Sequence, residues 1–145
     1  IWIRMIFEYD LSRFIDAHQR AYERARAEIR GGYKTSHWMW YIFPQIAGLG
    51  MSYTAQLYAI KDIEEARQYI AHPVLGARLI EISNALLTLD CSDAAAVMGY
   101  PDDLKLRSCM TLFVQVSDDP VFDAVLAKFY GGTADARTLE LLSLT

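Results

Sequence analysis

Six consecutive residues, Trp38-Met39-Trp40-Tyr41-Ile42-Phe43, present no polar face at either the helical or the strand period. Whatever they form must be enclosed by the rest of the chain. They sit in a run from Tyr33 to Gly50 that holds two of the three tryptophans and one of the three histidines. As a strand the segment needs a partner, and no second strand pattern stands out elsewhere. A buried helix is the better reading, with Ser36 as N-cap and Pro44 as the stop.

The flanking sequence supplies what would enclose it. Leu11, Phe14, Ile15, Tyr22, Ala25 and Ile29 recur at helical spacing from a cap at Asp10 to Gly31-Gly32, with the charged residues off that stripe. After the Gly48-Leu49-Gly50 break, Ser52 can cap a short helix through Ile60. Asp62 with Glu65 makes a capping-box start for a piece through Ala71. His72-Pro73 marks a boundary, and Leu75, Leu79, Ile82, Leu86 and Leu89 form the next stripe. Ser92-Asp93 opens a small helix through Met98. Pro101-Asp102-Asp103 opens a longer one to about Val116, with acids at the positive end of the dipole and an Asp103–Arg107 pair at i,i+4. Asp118-Asp119-Pro120 starts another through Tyr130, and Thr133 can cap the last through Leu142. The pattern predicts an all-α fold: a single compact bundle of about eight helices with short joints.

Composition sets further bounds. A chain of 145 residues that is 53% hydrophobic is one globular domain, expected to span residues 5–145, with residues 1–4 an upstream remnant if Met5 is the natural start. Its net charge of −4 argues against nucleic acid as a partner, since phosphate backbones need clustered Lys and Arg. No stretch approaches the roughly 20 apolar residues that span a bilayer, so no membrane partner is expected. Cys91 and Cys109 are far apart and read as free thiols of a reducing, cytoplasmic compartment. His18, His37 and His72 are scattered without ligand spacing, so neither a metal nor a cofactor is expected.

The candidate chemistry lies at the ends of the central segment. Lys34, the free amides after Ser36, and His37 can converge on an anion, and Trp38 or Trp40 can stack on a flat ring. The stretch from Gly48 to Ser52 offers a second such cradle. His37 is the best single acid–base candidate, because its pKa is tunable near neutrality. Gln45 can read an amide or base edge, or else satisfy loop carbonyls. Lys105 and Ser108 are i,i+3 neighbours that form a second polar cluster, in which a Ser/Lys dyad is conceivable and structural pairing the plainer reading. Large aromatics dominate cores, so the tryptophans also read as packing residues. His18 falls within an apolar stripe and reads as a hydrogen-bonded core residue. Cys109 reads as a small core residue, and His72 as a cap or a packing residue.

The block Ser36 to Gln45, the Gly48-Leu49-Gly50 turn, His72-Pro73 with Leu75-Gly76, and the segment Asp103 to Phe113 resemble the bacterial family of domain of unknown function 1810. The resemblance runs from about Asp10 to the C-terminus and implies an all-helical single domain, with no established activity to carry over. The family often has Gln where this chain has His18, and Ser where it has Cys109, which weighs against a family-wide catalytic role for either. Some relatives carry the label calpastatin, a disordered polar inhibitor, which a chain so rich in apolar stripes does not resemble. The expectation is a domain that binds a small anionic, nucleotide-like or phosphorylated ligand around Lys34, Ser36, His37, Trp38, Trp40, Gln45, Lys105 and Ser108. The alternative is a non-catalytic module that engages a protein partner or a second copy of itself, with the same block serving only as core.

Overall fold

Each apolar stripe becomes a helix whose inner face meets another. The computed structural model describes residues 9–143, so the reading of residues 1–4 and of Met5 lies outside the described residues. Among the described residues there are nine helices: α1 (Ser12–Arg30), α2 (Met39–Ile42), α3 (Tyr53–Tyr58), α4 (Ile63–Ala71), α5 (Leu75–Leu87), α6 (Ala94–Met98), α7 (Asp102–Val114), α8 (Val121–Tyr130) and α9 (Ala136–Leu142). The only other regular pairing among them is an isolated parallel bridge between Ile46 and Ile60. Helix α5 packs against α1, α4 and α8, and α7 against α4, α6, α8 and α9.

Aromatic contacts tie the core across elements. The ring of Phe14 on α1 meets Tyr69 of α4 edge-on at 5.0 Å; Tyr69 lies 5.5 Å from Phe113 of α7, and Phe113 5.9 Å from Phe122 of α8. All four rings are fully enclosed, and such pairs add to the gain from burying their area. His18 joins this core as expected: its Nε2 lies 2.9 Å from the Tyr41 carbonyl, and its ring stacks on Tyr22. Burial lowers its pKa to about 4 against the Tyr41 hydrogen bond, which keeps the imidazole neutral near pH 7. Cys109 is likewise enclosed, and burial pushes its thiol well up.

Several expected caps are in place. Ser52 accepts from the Ala55 amide, Asp62 from Glu65, and Asp93 from Ala95 and Ala96, while His72 Nδ1 accepts from Val74 and Leu75. Others differ. The central segment makes only one helical turn, entered from Trp38 and not from Ser36, because Ser36 is bonded elsewhere. It then leaves the helix, since Gln45 to Ala47 pairs with Ile60: the Ile60 amide donates to the Gln45 carbonyl and the Ala47 amide to that of Ile60, each at 2.8 Å. That pairing also ends α3 at Tyr58 rather than Ile60. Helix α9 is capped by Asp135, whose carboxylate accepts from the Thr138 amide and hydroxyl, and not by Thr133. The Thr133 carbonyl accepts from Arg107 Nε and that of Ala134 from Arg107 Nη2, each at 3.0 Å, so the expected Asp103–Arg107 pair does not form.

The sharp corner between α4 and α5 depends on Gly76. A Cβ there would lie 2.0 Å from the Ile70 carbonyl oxygen and 2.8 Å from its carbon, both backbone atoms that cannot swing aside. Gly76→Ala is expected to destabilise the fold on the order of 3 kcal/mol, as overpacking against fixed atoms does. Chemical denaturation measures it, and an unchanged midpoint would mean that the corner opens freely.

Candidate functional site

The site begins with one carboxylate. Glu28, in the last turn of α1, accepts from the amides of Thr35 at 2.8 Å and Ser36 at 3.0 Å, from Ser36 Oγ at 2.5 Å and from Trp38 Nε1 at 3.0 Å. Burial pushes its carboxyl up, but these four donors outweigh that and hold it down at about 2. A negative charge near a helix C-terminus is opposed by the dipole, so the donors are what make the position tenable. They also fix the indole of Trp38, which is 1% exposed and therefore core rather than platform.

From this anchored loop Lys34 reaches the start of α7. Its amide donates to the Val97 carbonyl at 2.8 Å, its ammonium lies 2.7 Å from Asp102 Oδ2 and donates to the Ser36 carbonyl at 2.6 Å, and it sits over the Trp38 ring at 4.8 Å. Lys105, one turn into α7, meets the other oxygen of Asp102 at 3.1 Å and lies 4.3 Å above the Trp40 ring. One carboxylate therefore bridges two lysines, each on its own indole. Burial raises the Asp102 carboxyl, and the hydrogen bonds and charges of Lys34 and Lys105 more than reverse it. One face of Trp40 is thus covered by the Lys105 ammonium, and its outer edge packs so close to Gly50 that a Cβ there would lie 2.9 Å from Cη2.

Trp40 and Lys105 separate two concavities of about 250 Å³ each and line both. On one side are Lys34, His37, Trp38, Thr54 and Asp102. On the other are Gln45, Leu49, Leu104, Arg107, Ser108 and Arg137, with Asp135 at the wall. Apart from Ser36, every residue expected in the site lines one of these two walls. Lys34 and Lys105 do come together, through an acid that the sequence marked only as a helix-dipole residue.

The roles differ from expectation at Ser36 and Gln45 and follow the plainer reading at Lys105 and Ser108. Ser36 offers no open helix start, because its amide and hydroxyl are both spent on Glu28 and α2 begins at Met39. At the Gly48 to Ser52 stretch the Ser52 hydroxyl holds the Ala55 amide as the cap of α3, and Gly48, Gly50 and Met51 line a separate concavity of about 370 Å³. No Ser/Lys dyad forms: Ser108 Oγ donates to the Leu104 carbonyl at 3.2 Å, while Lys105 is held by Asp102. Gln45 does not satisfy loop carbonyls, as its amide nitrogen is buried without a partner. His37 is exposed at the mouth of the first concavity, where its carbonyl accepts from the Tyr41 hydroxyl. Glu28, Asp102, Arg107 and Arg137 were missed, and their sequence spacing holds no signal that they meet. Among the described residues no group of three or more His, Cys, Asp or Glu is placed to hold a metal, and no helix is long and apolar enough to cross a membrane.

The family model described as protein of unknown function (DUF1810) matches residues 8–142. The chain is also similar to a solved structure, the conserved hypothetical protein Rv1873 from Mycobacterium tuberculosis, with 44% identity over 94% of this chain and 99% of that one and a TM-score of 0.92. No curated protein matches it. The all-helical fold expected from the stripes is therefore shared with a solved relative.

The Glu28 anchor has a pH signature. Its folded pKa lies below the ordinary value of 4.5, so the stability it contributes is present above pH 4.5 and is lost as pH falls toward about 2. Glu28→Gln is expected to cost roughly 1–3 kcal/mol at pH 7, as the loss of hydrogen bonds to a charged group does. Denaturation of both forms across pH 7 to 2 should show this gap closing below pH 4.5, and a gap independent of pH would contradict the assignment.

Proposed function

The chain belongs to the family described as protein of unknown function (DUF1810), and from the site's own chemistry we propose that it binds a small anionic, phosphorylated or nucleotide-like ligand in the paired concavities around Trp40 and Lys105. The observation that carries this reading is charge. Lys34, Lys105, Arg107 and Arg137 line the two walls with Asp102 and Asp135, Arg137 also pairing with Glu140 at 2.6 Å, on a chain whose net charge is −4. A basic hollow on an acidic protein draws anions out of solution, and its low-dielectric walls strengthen the attraction at contact.

Preorganisation adds to it. Lys34 and Lys105 are held against indole faces by cation–π contact and by Asp102, so little side-chain freedom remains to be lost on binding. The proposal stops at binding, because the Ser108 hydroxyl is engaged by a carbonyl and Lys105 by a carboxylate, which leaves neither as an activated nucleophile. The rival reading, a surface for a protein partner, rests on Met51, Tyr53 and Tyr100, large side chains about four-fifths exposed.

Titration calorimetry with inorganic phosphate and small phosphorylated metabolites tests the reading. Binding is expected to weaken as salt rises, and Lys105→Met to lose roughly tenfold in affinity, the size of one charge-assisted hydrogen bond. Binding that ignores both salt and Lys105→Met would place the ligand elsewhere and move the weight to the partner surface.

A further inference from the structure

The two concavities differ in kind, and the difference specifies the ligand further. The first is walled by Lys34, Lys105, Asp102, His37 and Thr54 and suits a charged, hydrated group. The second is walled by Leu49, Pro101, Leu104 and the Trp40 indole, which suit a flat body, with Lys105, Arg107, Arg137 and Asp135 also on its wall. Into that second wall is set Gln45, 5% exposed, with an amide nitrogen that has no partner.

An unpaired buried amide is costly and uncommon in a folded chain. The Gln45 backbone is fixed in place, because Pro44 precedes it, its carbonyl accepts from the Ile60 amide at 2.8 Å, and Ile46 is locked in the bridge. No acceptor among the described residues lies within hydrogen-bonding geometry of that nitrogen. The nitrogen is enclosed just behind the wall, so a small shift of the side chain is needed to bring it to an acceptor that enters from outside, and that bond removes the cost of leaving it unpaired.

Resting on the anion site proposed above, we infer that the ligand is a nucleoside monophosphate. Its base enters the second concavity and takes the Gln45 amide hydrogens on a ring carbonyl or ring nitrogen, while its phosphate meets Lys105 and Lys34 in the first. Trp40 and Lys105, which line both, lie where the sugar crosses. Gln45 is then the residue that tells a base from any other body carried on a phosphate, since a site built to hydrogen-bond one group rejects analogues that lack it.

Ribose 5-phosphate is the decisive control, because it keeps the anion and the sugar and lacks the base. Calorimetry or NMR titration should find at least one of AMP, GMP, CMP and UMP binding tenfold or more tightly than ribose 5-phosphate. Gln45→Met, similar in volume and without the amide, should bring that nucleotide to the level of ribose 5-phosphate and leave ribose 5-phosphate itself unchanged. The variant is expected to melt no lower than the parent, since it removes an unpaired buried donor. A variant that misfolds is replaced by Gln45→Glu, which keeps the shape, turns the donor into an acceptor and should lose the same preference. Equal binding of ribose 5-phosphate and all four nucleotides, or a preference that survives both substitutions, overturns the role of Gln45 and leaves the anion site standing. No binding by any of the five overturns both.

Discussion

The carboxylate of Glu28 is the constraint on which the site depends. It gathers two amides, a hydroxyl and an indole N–H from the stretch Thr35 to Trp38, and so turns a loop that would otherwise be free into a fixed extension of α1. Helix α1 is itself held by the core through Phe14 and His18, so the position of the loop is inherited from the aromatic contacts that join α1, α4, α7 and α8. Once Trp38 is fixed, Lys34 can lie over it and reach Asp102, and the start of α7 is drawn to the same place.

The resulting cluster joins two parts of the chain that are distant in sequence: the segment from Lys34 to Gln45 and the first turns of α7. Asp102 spreads one negative charge over two ammonium groups, which leaves the pair half neutralised and still attractive to an anion. Gly50 lets the Trp40 edge come close, and the Ile46–Ile60 bridge sets Gln45 beside it. Local geometry thus delivers two basic hollows that share a single indole, one of them walled also by Leu49, Pro101 and Leu104. A ligand with one charged end and one flat end matches that division.

Much of the fold was legible because helical stripes and their caps act over short distances. Ser52, Asp62 and Asp93 each bond amides two or three residues ahead, and the Tyr9 hydroxyl, which reaches Asp62 from far along the chain, takes the oxygen that does not cap. Ser36 failed as a cap for the opposite reason: a carboxylate eight residues earlier, carried on another element, is a stronger acceptor than any local bond Ser36 could make. Thr133 is the cap the sequence points to for the last helix, but its carbonyl is fixed by Arg107 from α7, and Asp135 caps instead. The candidate site was legible in most of its residue types, since lysine, tryptophan and glutamine at one glycine-bounded segment are visible in one dimension. Asp102 and Glu28 were not, because only tertiary packing shows that a carboxylate meets two lysines or four donors.

If Glu28 holds the loop, the Thr35 and Ser36 amides are the atoms that report it. Hydrogen exchange at these two amides, compared between the parent and Glu28→Gln at neutral pH, is the most direct test, because both donate to that carboxylate and neither belongs to a helix. The account predicts slow exchange in the parent and a rise toward open-loop rates in the variant, with the core amides of α5 and α7 unchanged. Fast exchange at both positions in the parent, or protection that survives the substitution, would mean that something other than Glu28 fixes the loop and the site built on it.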